Sequence, residues 1–155
     1  MSVSDEEFYR KHADGLRRLA FVLVGAADGD DVFANAVLRV LRSRAWRRLD
    51  DDAKRGYLYR AVVNEAKRFG RQAGSRRLRE QLYMSQRAVA VEQQTPEEIW
   101  SVVASLSVRQ RAVVYLTYYE DLDTAAVADR LGISVGSVYQ HLHRARSALE
   151  RRIDG

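Results

Sequence analysis

Residues 123–152 carry two helical patterns separated by a turn too short for the helices to lie antiparallel, which constrains the fold more than any other stretch. Val127 and Leu131 stand four apart on one face, and Thr124 sits where the N-cap of the first helix is wanted. Gly132 follows at the point where a helix-ending residue must take positive φ. Ile133 plugs the corner, and Ser134 is placed to cap a second helix. In that helix Val138, Leu142, Ala145 and Leu149 recur at i, i+4, i+7 and i+11, a narrow apolar stripe that must pack on something. At about 100° per residue, Gly136, Gln140, His143, Arg144 and Ser147 point away from the stripe, flanked by Ser137 and Tyr139. Small, hydrogen-bonding and cationic groups on a free helix face suit a major groove, where they meet base edges and phosphates. A plain αα-corner inside an all-helical domain has the same spacing but no use for such a face.

Charge is unevenly spread around this element. Residues 36–90 hold 15 basic and 5 acidic side chains, whereas residues 91–130 hold 3 and 7. A central block this basic points to a polyanionic partner, because each neutralised phosphate releases counterions and adds salt-sensitive affinity. A solvated, arginine-rich helical surface is the alternative. The 155 residues suffice for one ordinary domain or two small ones. With no cysteine there is neither a disulfide frame nor a thiolate metal site, in keeping with a reducing compartment. The longest apolar run, Leu19 to Gly25, is far short of a membrane span, and no charged-then-apolar leader is seen, so a soluble cytoplasmic protein is expected.

In chain order, Ser4 followed by Asp5, Glu6 and Glu7 opens a helix with Phe8, Leu16, Leu19, Ala20 and Leu23 on its apolar face, ended by Gly25. His12 has no companion at metal-ligand spacing. Asp28, Asp30 and Asp31 are expected to precede the next helix, whose buried face is Phe33, Val37, Val40 and Leu41. They lack the EF-hand pattern and read as capping charge. Trp46 closes that helix or the turn behind it, and a polar connector runs from Arg47 to Arg55. The period then restarts at Tyr57, Leu58, Ala61, Val62, Ala66 and Phe69, interleaved with Arg55, Arg60, Lys67, Arg68 and Arg71. Rings beside cations suit a groove for single-stranded nucleic acid, although the same spacing also serves core and rim positions.

From about Gln72 to Gln94 the periodicity weakens, which reads as a linker with one helical piece around Arg76 to Met84. Thr95, Pro96 and Glu98 then form a capping box, and Ser107 to Gln110 repeats the S-x-x-Q form. Ile99, Val102, Val103 and Leu106 line one apolar face; Val113, Val114 and Tyr118 belong to the next helix. The expected architecture is all-α: a front domain (1–72), a flexible linker (73–94) and a rear helix-turn-helix domain (95–155). No H-E-x-x-H, G-x-S-x-G or phosphate-cradling glycine loop is present, and His141 and His143, two apart, point in different directions on a helix. No catalytic residue, cofactor or metal is expected, and any catalysis belongs to a partner.

These blocks together resemble a bacterial RNA polymerase sigma factor of the extracytoplasmic-function (ECF) group. Leu106 to Ile153, with Y-x-E-D-L, A-x-x-L-G-I-S-V-G-S-V and L-H-R-A-R, is similar to sigma region 4. Phe8 to Leu49 followed by Tyr57 to Arg71 is similar to sigma region 2. The resemblance implies a non-catalytic subunit that binds core RNA polymerase and carries it to promoter DNA, with an anti-sigma factor as a further partner and a monomer when free. It implies that Ser134, Val135, Ser137, Tyr139, Gln140, His141 and Arg144 read the minus-35 element. The opened minus-10 strand would lie on Arg55, Tyr57, Arg60, Asn64, Lys67 and Arg68, and the polymerase clamp on Asp31, Asn35, Leu38 and Arg39. Two departures stand out. Ala34-Asn35 replaces the family's usual Q-E or Q-D, and Tyr139 and His141 replace basic residues. A free-standing helix-turn-helix regulator, or a sigma-like interaction protein that does not melt promoters, shares most of these features.

Overall fold

The computed structural model describes residues 3–72 and 103–154, which form six α-helices and no strand among them. The helix α1 (Val3–Val24) has Asp5 and Glu6 in its first turn, at the positive end of its dipole. It stops at Gly25, whose φ of 90° is open to glycine at little cost. Gly25 is also the N-cap of α2 (Ala26–Arg42), so this helix starts before the aspartates expected to precede it. Asp28 is buried in its first turn, while Asp30 and Asp31 are exposed further along. The two helices approach closely at Gly29, where a Cβ would stand 2.2 Å from Cδ1 of Phe21.

A 3-10 turn (Trp46–Arg48) leads to α3 (Asp51–Gln72). The polar connector is therefore shorter than the sequence predicts, because Asp50 Oδ1 accepts from the Ala53 amide at 2.8 Å and starts the helix there. Leu16, Leu19, Leu23, Val32, Phe33, Ala36, Val40, Leu58, Val62 and Ala66 close the core of α1, α2 and α3. Leu41, expected in that core, is instead 41% exposed: it lies just past the buried arc through Val32, Phe33, Ala36 and Val40. Trp46 seals one end, edge-on to Phe8 at 5.7 Å and covered by Lys54, whose ammonium also pairs with Asp5 at 3.2 Å.

In the rear block, Ser107 and Gln110 form the expected reciprocal capping box at the start of α4 (Val108–Val114). A π turn (Tyr115–Tyr119) extends it and ends with the Glu120 amide donating back to the Tyr115 carbonyl at 3.1 Å. The first helix of the motif, α5 (Thr124–Leu131), is capped one residue earlier than expected: Asp123, not Thr124, accepts from the Ala126 amide at 2.8 Å. Gly132 takes φ 66°, as the turn requires. The second helix, α6 (Val135–Asp154), buries Val138, Leu142 and Ala145 with Leu149 at the margin. The expected helical piece from Arg76 to Met84 and the capping box at Thr95 lie outside the described residues.

The front and rear blocks are in contact. α1 and α3 pack on α4, α3 also packs on α5, and the buried apolar residues of both blocks form one continuous cluster from Phe8 to Ala145.

Candidate nucleic-acid interfaces

The first surface is α6. Ser134 caps it by accepting from the Ser137 amide at 3.0 Å, and its hydroxyl donates to Ser137 Oγ at the same distance. With the apolar stripe buried, the opposite face is left to solvent: Ser134, Val135, Gly136, Tyr139, Gln140, His143 and Arg144 are all exposed. Tyr139 at 60% and Val135 at 43% are large groups that the fold leaves uncovered. Ser137 and His141 are half-buried. Burial lowers the pKa of His141, and the nearby cations Arg109, Arg144 and Lys67 lower it further. The ring is therefore neutral at pH 7, able to donate or accept but not to act as a fixed cation. Its Nδ1 has no hydrogen-bond partner among the described residues. Arg146 lies beside this face, donating to the Tyr118 hydroxyl at 2.7 Å.

The second surface is a groove of about 720 Å³ between α2 and α3, lined by Arg39, Tyr57, Arg60, Asn64, Lys67 and Arg68 among others. That is within the usual range of about 300–1,000 Å³ for ligand sites. Its carboxylate, Glu65, is offset by Arg39 at 3.5 Å, so the lining is cationic on balance. Asn64 and Arg68 are exposed, and Tyr57 is held in place by donating its hydroxyl to Ser43 Oγ at 3.0 Å. Arg55 stands apart, half-buried and 3.6 Å from Asp52. Of the six residues expected here, five line one groove and Arg55 does not.

On the outer side of α2, Asp31, Asn35 and Leu38 share a face, with Leu38 51% exposed and Leu41 beside it. Arg39 lines a shallow hollow with Asn35 and Leu38 and also reaches Glu65 of α3, so it borders both this face and the groove.

One cluster had no signal in the periodicity. The Tyr59 hydroxyl of α3 donates to Glu120, lying 3.2 Å from each carboxylate oxygen across 61 positions of sequence. Arg130 of α5 pairs with the same carboxylate at 3.6 Å and lies over the Tyr59 ring at 5.1 Å. Burial, with the carboxylate close by, pushes the Tyr59 phenol up to about 12. Arg60 Nη1 donates to the Asp129 carbonyl at 3.3 Å, at the C-terminal end of α5. A Cβ on Gly132 would stand only 2.9 Å from Arg60 Cδ. The acid of the Y-x-E-D-L stretch was the available clue, but nothing local named its partner. Arg111, buried in α4 with Nε and Nη1 unpartnered among the described residues, was likewise not foreseen.

Comparison with known proteins places the chain in a family. The family described as "Sigma-70, region 4" matches residues 96–149, which contain α4, α5 and most of α6. The chain is similar to the ECF RNA polymerase sigma factor SigL of Mycobacterium tuberculosis, with 33% identity covering 91% of this chain and 84% of that protein. It is similar to the RNA polymerase sigma-E factor of Streptomyces coelicolor, with 32% identity over 96% of this chain and 85% of that one. Its fold is similar to that of CnrH, solved in complex with the cytosolic domain of CnrY. The TM-score is 0.65 at 22% identity, over 96% of this chain and 86% of the other.

Proposed function

Because the chain belongs to the ECF group of RNA polymerase sigma factors, we propose that it carries core polymerase to promoters and divides the work between its two surfaces. The exposed face of α6 enters the major groove at the minus-35 element, with Gln140 and Tyr139 toward base edges and Arg144 toward phosphate. The groove between α2 and α3 takes the opened minus-10 strand, its cations following the phosphates and Tyr57 offering a ring to a base. Unstacking a base costs a few kcal/mol, and capture of the extruded bases offsets it without a nucleotide cofactor. The face of α2 bearing Asp31, Asn35 and Leu38 meets the polymerase clamp, with Leu38 and Leu41 supplying apolar area and Asn35 a hydrogen-bonding group.

A single observation carries this reading. One chain of this family presents a free hydrogen-bonding helix face in its rear block and a cationic, tyrosine-bearing groove in its front block. The test is run-off transcription from a matched promoter with purified core polymerase. Adding the chain should produce a transcript. Arg144→Ala should weaken binding on every sequence tried, whereas Gln140→Ala should cost about 1–3 kcal/mol on the preferred sequence and relax preference at one position. A uniform loss from Gln140→Ala would contradict base readout, and no transcript with wild-type chain would sink the proposal.

A further inference from the structure

One cation of α6 lies beside its reading face and has no part in it. Arg146 is exposed and stands seven residues after Tyr139, a separation that turns through about 700° and rises about 10.5 Å along the helix. The two side chains therefore leave the helix within about 20° of each other, two turns apart. With Tyr139 toward base edges, a side chain that far along the same flank reaches the edge of a major groove about 12 Å wide, where the phosphates stand.

Tyr118 holds this cation. Its hydroxyl accepts from Arg146 Nη2 at 2.7 Å, across 28 positions of sequence. The phenol comes from the π turn, whose two ends are fixed: Tyr115 is 1% exposed, and its ring stacks on that of Tyr119 at 5.0 Å. Tyr118, between them, is 58% exposed, so burial does not explain a ring at this position. Turns of this kind are frequent at functional sites. A guanidinium has five N–H donors, and the one spent on Tyr118 leaves the others for an anionic oxygen. Glu150, exposed and one turn further along α6, attracts the same group: it adds to the Tyr118 hydrogen bond in raising the Arg146 pKa. An arginine left to Glu150 would be neutralised on the helix surface instead of being presented to DNA.

We propose that Tyr118 is a positioning residue: it fixes the Arg146 guanidinium at the edge of α6, where the cation clamps a backbone phosphate beside the bases that α6 reads. This role rests on the DNA reading given to α6 above, and it brings the π turn into that reading from outside the helix-turn-helix. What the hydroxyl supplies is order. Freezing a rotamer-rich arginine on binding weakens affinity about two- to tenfold, and a guanidinium already held by Tyr118 is spared that loss.

Full-length chain and duplex DNA that the wild-type protein selects from a random pool make the test. Arg146→Ala should weaken binding by the same factor on the selected and on a scrambled duplex, and should lower the slope of log affinity against log salt by about one. Tyr118→Phe keeps the ring and removes the hydroxyl. It should weaken binding about two- to tenfold while the urea midpoint stays at the wild-type value, because an exposed hydroxyl adds little to the fold. In the Arg146→Ala background the same change should cost nothing further, as expected of a residue that acts through another. A Tyr118→Phe chain that binds as tightly as wild type, or that loses as much without Arg146 as with it, overturns the proposal. An unaltered salt slope in Arg146→Ala does the same. Each of those results leaves the reading of DNA by α6 standing. A pool from which the wild-type chain enriches no sequence removes that reading, and the role of Tyr118 with it.

Discussion

At the scale of single residues, the structure separates two candidates one position apart for the same task. Thr124 reads from sequence as the cap of α5, but Asp123 makes the bond to the Ala126 amide. Asp123→Ala should therefore lower stability by about 1 kcal/mol, and Thr124→Ala by much less, in urea unfolding. The reverse order would restore Thr124 to the role. Other residues were legible because their constraints are local. Gly132 had to take positive φ wherever the rest of the chain went, and Ser134 needed only the Ser137 amide. Asp28 was misread for the complementary reason: its burial follows from α2 starting directly at Gly25, and no pattern of charges announces that. The lowered pKa of His141 was equally hidden, since it follows first from burial in the fold and then from cations that include Arg109 and Lys67 of other helices.

At the scale of elements, periodicity located the apolar faces better than the helix ends. The stripe Val138, Leu142 and Ala145 is buried as the spacing demands, and so is the run Leu58, Val62 and Ala66 in α3. The face of α2 was nearly right, failing at Leu41 because an arc drawn from residue type alone cannot say where a neighbouring helix stops covering it. The π turn at Tyr115–Tyr119 left no trace in the pattern, yet it leads directly to Glu120. How closely α1 and α2 approach was also unreadable, because Gly29 passes in sequence for an ordinary weak helix former. With a Cβ 2.2 Å from the Phe21 ring, Gly29→Ala should force the helices apart and cost about 1–3 kcal/mol, against the gain an alanine gives in an open helix. An unchanged or higher urea midpoint would show that Phe21 turns aside freely.

At the scale of the whole molecule, the all-α character was readable, and the contact between the blocks was not. Tyr59, Glu120 and Arg130 are scattered along the chain, and each alone passes for a surface or core residue. Their partnership gives the fold a pH dependence. Burial raises the pKa of Glu120, with Tyr59 of α3, Arg130 of α5, Tyr115 of the π turn and Arg18 of α1 each drawing it partly back. A carboxyl with a raised pKa in the folded chain contributes stability that is fully present below its unfolded value and is lost as pH rises through the folded value. Glu120→Gln should therefore raise stability in urea unfolding more at about pH 7 than at about pH 4. A gain that is larger at the lower pH would reverse the assignment. The central claim, that one chain carries polymerase to a promoter and holds the opened strand there, is met most directly by permanganate footprinting of the polymerase complex on a matched promoter. Reactive thymines at the minus-10 element, lost when Asn64 and Arg68 are both replaced by alanine, are the predicted result. A stably bound complex whose minus-10 thymines stay unreactive with the wild-type chain would contradict it.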